Sequence, residues 1–388
     1  MMLINLFVLF FALTIIDAQN NCPGKCIDIL DCPEHRHFWT NLWTEETYQT
    51  IESLQCSPKG TYPKICCNQT ETTETLEDIP DFPYVMNHPN LRLLDHQACG
   101  LNVDYDNKTK FNQYPWIALL RYQGYDDDWY DERQDNDRER FFCSGTIISS
   151  RYILTSARCR NRGRNYRLIG VRVGDYDLSK ERDCEVDENG REVCAERYQD
   201  FDIAKSGFYT YPDEASRFQR KNDIALIRLN DTIDFSLPNV KPICLPFGYT
   251  AKQFRREISW VDVPGWGMTT YAPIKSLKLL SVKLNVVPNE YCKKLNFYGQ
   301  IAIYSDEKEW YKLICAGGQI DVEHPCNGDL GGPLHAVSTY VYDEHDNVRT
   351  VQYGVMTEDR YPCGTKLRPN IYANVAYHMD WILNTMTD

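Results

Sequence analysis

The stretch Cys326-Asn327-Gly328-Asp329-Leu330-Gly331-Gly332-Pro333 decides the fold, and two shorter stretches belong with it. They are Thr155-Ser156-Ala157-Arg158-Cys159 and Asn222-Asp223-Ile224-Ala225-Leu226. Around them lie short runs of alternating apolar and polar residues, separated by turn-rich segments. This pattern is typical of an all-β barrel or sandwich rather than of alternating strands and helices. The runs cover 114–120, 147–155, 167–173, 223–229, 280–286 and 351–356, and apolar residues at helical spacing cover 375–386.

The three stretches resemble the catalytic motifs of the chymotrypsin-like serine proteases. In that family Thr-Ala-Ala-His-Cys carries the general base, Asp-Ile-Ala-Leu carries the aspartate that orients it, and Gly-Asp-Ser-Gly-Gly-Pro carries the nucleophile. The three motifs occur here in the family's order and at its intervals. The resemblance covers 99–388, and it implies an all-β fold of two antiparallel six-stranded barrels followed by a C-terminal helix.

Two of the three catalytic positions are substituted in this chain. Arg158 stands where the family has histidine and Leu330 where it has serine, so only Asp223 matches the triad. A guanidinium remains protonated and offers no acceptor, and leucine has no lone pair with which to attack a carbonyl. The resemblance therefore implies a pseudo-protease without catalytic residues, in which Arg158 pairs with Asp223.

The former specificity pocket also departs from the family. His324 stands at the position of the pocket base, and Met356 and Glu358 replace residues of the pocket wall. Asn370 replaces a glycine. These larger side chains predict a filled or narrowed pocket.

The former oxyanion loop contains Gly328 and Asp329. In active relatives, cleavage creates a new N-terminus that pairs with the aspartate of this loop. Between Cys99 and Pro115 this chain has no Arg-Ile-Val-Gly-Gly sequence that would supply such a terminus. The resemblance therefore implies a permanently zymogen-like oxyanion loop.

The N-terminus predicts secretion. Residues 1–18 have an apolar core that is short for a membrane span and end on a small residue, as in a cleaved signal peptide. Sixteen cysteines, an even number, then predict disulfides formed in an oxidising compartment. No Cys/His cluster has zinc-finger spacing, so we expect neither a metal nor a cofactor. Asn68, Asn107 and Asn230 begin glycosylation sequons.

Residues 22–67 hold six cysteines that end in an adjacent pair, in a segment too short to bury much core. Spacing alone leaves their connectivity open, and a generic disulfide knot is one interpretation. The segment also resembles the clip domain of arthropod serine proteases, and the Thr-, Glu- and Pro-rich residues 68–98 then predict an exposed linker to the protease-like domain at 99–388. The two resemblances imply the pairs Cys22–Cys66, Cys26–Cys56, Cys32–Cys67, Cys99–Cys244, Cys143–Cys159, Cys184–Cys194, Cys292–Cys315 and Cys326–Cys363.

The net charge of −13 disfavours a nucleic-acid or anionic-membrane partner. The resemblance to inactive clip-domain homologues implies that this protein is a cofactor or regulator of an extracellular proteolytic cascade, in melanisation or Toll-type innate immunity. The expected partners are clip-domain proteases or their zymogen substrates. Two alternatives remain open, a decoy that suppresses a clip protease and an adhesion or microbe-recognition protein.

Overall fold

A computed structural model describes residues 22, 24–28, 53–56, 64–67, 82–101, 111–124, 139–161, 166–187, 189–212, 222–248, 250–251, 254, 258–267, 276–288, 292, 307–318, 330–341, 346–357 and 369–388. The chain divides into two compact units. The elements are β1 (Lys25–Asp28), β2 (Lys64–Cys67), β3 (Ile117–Gly124), β4 (Arg140–Ser149), β5 (Tyr152–Thr155), β6 (Tyr166–Val173), β7 (Cys184–Val186), β8 (Glu192–Cys194), β9 (Gln199–Thr210), β10 (Ala225–Leu229), β11 (Trp260–Gly265), β12 (Leu280–Val287), β13 (Leu313–Ala316), β14 (Pro333–Val341), β15 (Asp346–Met356), β16 (Asn370–Asn374) and the helix α1 (Met379–Thr385).

The N-terminal unit contains a two-stranded antiparallel sheet, β1 with β2, in which Cys26 lies opposite Cys66. Ile65 on β2 is fully buried. Two short strands alone form too small a sheet to be stable in water. The disulfides of this unit supply the additional stabilisation. The predicted signal peptide, 1–18, lies outside the described residues.

The second unit contains two closed barrels of six antiparallel strands each. Their strand orders are β10-β5-β4-β3-β6-β9 and β11-β12-β13-β16-β15-β14. The described strands pair antiparallel with their neighbours. Because each sheet closes on itself, its first and last strands are also hydrogen-bonded to each other and expose no free edge. The predicted fold class, including the C-terminal helix, is confirmed.

One predicted strand is divided in two. The alternating run over 147–155 forms the end of β4 and all of β5, and Ile147 pairs with Ile153 across the turn between them. Two antiparallel strands that direct the same face towards the core can continue one alternating pattern across the tight turn between them. The alternating run alone therefore did not show where β4 ends and β5 begins.

The predicted exposed linker is wrong for residues 82–98, which belong to the second unit and pack within it. Pro89–Leu93 form a 3₁₀ turn, and Leu91 and Leu94 are buried. The Asn90 side chain donates hydrogen bonds of 2.9 Å to the carbonyls of Leu383 and Met386, at the end of α1. The apolar residues of this Pro-rich segment are spaced to cover the helix end, whereas its polar composition had indicated a solvated chain.

The described residues contain six of the disulfides that the resemblance implied. Cys67 is also disulfide-bonded, but Cys32 lies outside the described residues, as do Cys326 and Cys363. Cys99–Cys244 closes a sequence separation of 145 residues, which by loop-closure entropy stabilises the fold by about 5 kcal/mol. The six are Cys22–Cys66, Cys26–Cys56, Cys99–Cys244, Cys143–Cys159, Cys184–Cys194 and Cys292–Cys315.

Candidate functional site

Strand pairing brings the Thr155–Cys159 and Asn222–Leu226 stretches together at the candidate site. Strand β5 leads into Ser156 and then into a 3₁₀ turn, Ala157–Arg160. Strand β10 pairs with β5 so that Ala225 lies opposite Thr155. Asp223, two residues before Ala225, is therefore placed beside the turn, with its side chain only 3% exposed.

Asp223 is held by three donors from the 3₁₀ turn. The Ser156 hydroxyl donates to Oδ1 at 2.6 Å and the Arg158 backbone N–H donates to the same oxygen at 3.0 Å. The Arg158 Nε donates to Oδ2 at 2.8 Å, which makes an ion pair. This combination of a counter-charge and hydrogen bonds offsets the loss of solvation that burial imposes on a carboxylate.

The sequence did not assign Ser156 to the site. The structure gives it two roles, because its hydroxyl both donates to Asp223 and accepts from the Arg158 N–H at 3.2 Å as the cap of the turn. The available signal was a serine at the second position of the Thr155–Cys159 stretch, where the family motif has alanine.

Leu330 faces the interior. Its side chain is fully buried and belongs to the apolar cluster of the first barrel. The Ser144 N–H donates to the Leu330 carbonyl at 2.9 Å, which joins this loop to β4. The next residue, Gly331, has φ +83°, and a Cβ there would collide with Thr155 Oγ1 and the Ser144 carbonyl oxygen. Glycine is therefore required beside Leu330, whatever residue occupies position 330.

The predicted pocket lies only partly within the described residues. Met356 is fully buried in an apolar cluster to which both barrels contribute, and its backbone carbonyl accepts from the Gly331 N–H at 2.8 Å. Asn370 begins β16 and is buried. The remaining predicted residues, His324, Gly328, Asp329 and Glu358, lie outside the described part of the chain, so the narrowed pocket and the zymogen-like loop stay predictions.

Two buried histidines lie near these elements. The His335 ring is fully buried, and neither ring nitrogen has a hydrogen-bond partner among the described residues; burial lowers its pKa to about 3. His378 is hydrogen-bonded through Nε2 to the Asn222 side chain at 3.1 Å, directly beside Asp223 in sequence. Burial lowers the pKa of His378 to about 4. Both rings are neutral at physiological pH and serve the packing of the barrels.

A further buried carboxylate lies at the edge of the first barrel. Asp175 is 5% exposed, and its Oδ2 is 3.4 Å from the Arg172 guanidinium. Burial, and to a lesser degree the charge of Asp183, raises the pKa of Asp175 to about 7 although Arg172 opposes the shift. The carboxylate is thus only partly ionised at neutral pH.

The described residues include one cluster with three groups of metal-ligating type, Cys184, Glu192 and Cys194. The two cysteines are joined in a disulfide, so they offer no thiolate to a metal. Within the described chain, no helix has the length and apolar character needed to cross a membrane. Of the sequons, Asn230 is exposed at the end of β10, and Asn68 and Asn107 lie outside the described residues.

The chain matches two protein-family models and several known proteins. The trypsin family model matches residues 106–382, and the model of the regulatory CLIP domain of proteinases matches residues 17–67. Similar curated proteins include serine protease ea of Drosophila melanogaster, 30% identical over 95% of this chain and 90% of the relative. Melanization protease 1 of the same species is 32% identical over 94% and 90%.

A third relative is phenoloxidase-activating factor 3 of Holotrichia diomphalia, which is 30% identical over 96% of this chain and 95% of the relative. Among solved structures, the Drosophila Grass clip serine protease of the Toll pathway superposes with a TM-score of 0.60 at 26% identity, and the match covers 94% of both chains. The chain belongs to the trypsin family and, within it, to the clip-domain serine proteases.

Proposed function

We propose that this protein is a secreted, non-catalytic serine protease homologue that regulates an extracellular proteolytic cascade as a cofactor. The observation that carries the proposal is Leu330, which occupies the nucleophile position and is fully buried in the apolar cluster of the first barrel. A leucine at this place contributes to packing and has no group that could attack a peptide carbonyl.

The Arg158–Asp223 ion pair supports the same proposal. Asp223 would orient a histidine in an active protease, but here its carboxylate is used by Ser156 and Arg158. Loss of the nucleophile alone lowers turnover by about a million-fold in a serine protease, and loss of the base then adds little because the triad acts as a unit. Either substitution is sufficient to abolish turnover.

The cascade role is supported by the names of the relatives. They include a Spaetzle-processing enzyme of Drosophila and a phenoloxidase-activating factor of Holotrichia diomphalia. A rigid pair of barrels with surface loops remains a binding platform after the chemistry is lost. The expected partners are other extracellular proteins, namely clip-domain proteases and their zymogen substrates.

The first test is chemical. We expect the purified protein, with or without cleavage before residue 82, to hydrolyse no chromogenic peptide with Arg, Lys, Phe or Leu before the scissile bond. We also expect no labelling by a fluorophosphonate, which reacts with activated serines. Labelling or turnover that persists in a homogeneous preparation would contradict the proposal.

The second test addresses the cascade. The protein is titrated into a reaction of an active clip protease with its zymogen substrate, and product is followed over time. Acceleration is expected for a cofactor. Suppression would replace this role with that of a decoy, and no effect at saturating protein would favour adhesion or microbe recognition.

A further inference from the structure

The strands β7 and β8 form a hairpin that belongs to neither barrel. Among the described strands they pair only with each other, so that Cys184 lies opposite Cys194 and Val186 lies opposite Glu192. A two-stranded sheet has one free edge along each strand, and the backbone groups on such an edge are available to another extended chain. The hairpin therefore presents strand edges of a kind that the closed barrels do not have.

The hydrogen-bond pattern of the hairpin shows which backbone groups lie on the free edge. The Ala195 N–H donates to the Asp183 carbonyl at 2.8 Å, and the Asp187 N–H donates to the Arg191 carbonyl at 2.8 Å. Hydrogen-bonded pairs alternate with non-hydrogen-bonded pairs along an antiparallel ladder. Val186 belongs to a non-hydrogen-bonded pair by this alternation, so its N–H and C=O point away from β8 and towards the free edge of β7.

The hairpin is held at its root and at its tip. The Cys184–Cys194 disulfide joins the two strands at the root. Asp183 beside it is buried, and its carboxylate accepts from two successive backbone N–H groups of the chain that follows β6, at 2.9 and 3.0 Å. At the tip, Asp187 Oδ1 accepts from two N–H groups of its own turn, at 2.9 and 2.8 Å. The edge is thus ordered before anything binds to it, which lowers the entropic cost of binding.

The side chains of the hairpin combine apolar surface with carboxylates. Val186 is 70% exposed and Val193 is 36% exposed. Side chains alternate between the two faces of a strand, so Val186 shares one face with Glu192, and Val193 shares the other face with Glu185. Along β7 itself, an acidic position at 185 therefore lies between apolar positions at 184 and 186.

The charge of the hairpin indicates the sign of its partner. Residues 183–196 contain six acidic residues and one basic residue, a net charge of −5. The basic residue, Arg191, pairs with Asp187 at 3.1 Å, and Arg197 just outside the hairpin pairs with Glu181 at 3.1 Å. Like charges disfavour the pairing of two such hairpins from two copies of this chain, whereas a basic segment is attracted.

We propose that the free edge of β7 binds an extended segment of a partner protein in which lysine or arginine alternates with an apolar residue. The added strand hydrogen-bonds to the outward N–H and C=O of Val186. Its apolar side chains lie beside Val186 and the disulfide, and its basic side chains lie beside Glu185, because cross-strand neighbours share a face. The inference rests on the proposed function, since it names the surface by which a non-catalytic homologue contacts a cascade partner.

The test measures binding of a fluorescein-labelled heptapeptide of alternating lysine and valine to the full-length protein by anisotropy. A heptapeptide of alternating glutamate and valine is the probe of opposite charge. Val186→Pro removes the outward N–H and places a ring on the edge, while the hydrogen bonds to β8 belong to the neighbouring residues. Val186→Thr keeps the N–H and the β-branched shape. The matched control is Val348→Thr, at a valine of β15 that is 62% exposed.

We expect the lysine–valine peptide to bind and the glutamate–valine peptide not to bind. Val186→Pro should weaken binding about tenfold, as for the loss of an edge hydrogen bond, and Val186→Thr should weaken it by no more than about threefold. Val348→Thr should leave the affinity unchanged, and added salt should lower the affinity of every variant that binds. Equal affinity of Val186→Pro and the parent protein would overturn the proposal.

A second measurement covers the case in which Val186→Pro disrupts the hairpin, which circular dichroism and mass analysis of the disulfide detect. The parent protein is then titrated with two versions of the lysine–valine peptide, N-methylated either at the valines or at the lysines. A strand bonds to one edge through alternate residues only, so we expect one version to lose binding. Retention of full affinity by both versions would overturn the proposal. Concentration-dependent self-association that Val186→Thr weakens and the lysine–valine peptide does not displace would overturn it in favour of a second copy of this chain.

The outcome is separate from that of the proposed function, because the assay contains no protease and reads no turnover. Absence of peptide binding overturns the β7 site and leaves a non-catalytic homologue with a different contact surface. Hydrolysis or fluorophosphonate labelling would remove the proposed function whatever the peptide result.

Discussion

The burial of Leu330 leads to a quantitative prediction for Leu330→Ala. The leucine is fully buried within the apolar cluster of the first barrel. Truncation of such a leucine costs about 3 kcal/mol, from the lost apolar contacts and from the cavity that remains. For a domain of this size we expect the melting temperature of the protease-like unit to fall by roughly 6–12 °C.

The family's own residue should fare no better at this position. Leu330→Ser loses the same packing and adds a hydroxyl that must find a partner in an apolar cluster, so we expect a destabilisation at least as large as for alanine. Restoring the nucleophile would then cost stability and yield no activity, because Arg158 still cannot accept a proton.

Thermal unfolding followed by calorimetry and by circular dichroism measures these shifts. The matched control is Leu277→Ala, since that leucine is 58% exposed and its truncation should change the stability by no more than about 0.5 kcal/mol. A loss below about 1 kcal/mol for Leu330→Ala would refute the reasoning, because a side chain that packs in the core cannot be removed so cheaply.

Three further predictions concern the buried ionisable groups. Arg158→Ala should destabilise the protein by about 1–3 kcal/mol, less than for a fully buried pair because the arginine is partly exposed, and Asp223→Asn in the same chain should recover part of the loss. His335 and His378 have pKa values lowered to about 3 and about 4, so the unfolded chain binds protons that the folded chain does not. Stability should therefore fall as the pH drops from 6.5 towards 4, by about 1.4 kcal/mol per pH unit for each histidine, and His335→Leu should reduce the slope. The raised pKa of Asp175 has the opposite sign: stability is lost as the pH rises from about 4 to 7, so Asp175→Asn should be more stable than the parent at pH 8, by about 2–4 kcal/mol.

Each of these measurements has an outcome that counts against it. Additive effects of the Arg158 and Asp223 substitutions in a double-mutant cycle would show that the pair does not interact, as expected for the exposed Arg92–Asp388 pair used as a reference. Denaturant midpoints that do not change between pH 6.5 and 4 would contradict the neutral, buried histidines. For Asp175→Asn, a stability difference that is the same at pH 4 and pH 8 would contradict the raised pKa.

Much of the fold was accessible from the sequence because the motifs are local. The resemblance of the Thr155–Cys159, Asn222–Leu226 and Cys326–Pro333 stretches to protease motifs implied two antiparallel barrels, and each alternating run overlaps a described strand, although strands such as β9 and β14 had no predicted run. Two features could not be predicted from the sequence: the tight turn between β4 and β5, and the packing of a segment against the end of the C-terminal helix. The break inside 147–155 and the packing of 82–98 depend on which surface a residue meets, and composition does not report this.

The substitutions at positions 158 and 330 could be read directly from the sequence, and they determined which chemical groups are absent from the site. The tertiary structure decided what the new residues do. Ser156 and Arg158 reach Asp223 across 65 or more residues of chain because β5 pairs with β10, and this pairing gives both carboxylate oxygens a hydrogen-bond donor. Leu330 is an inert residue by sequence, and it becomes a core residue only because the Ser144 strand closes over its loop. The identity of a side chain is a property of the sequence, whereas its burial and its hydrogen-bond partners arise from contacts between segments that are distant along the chain.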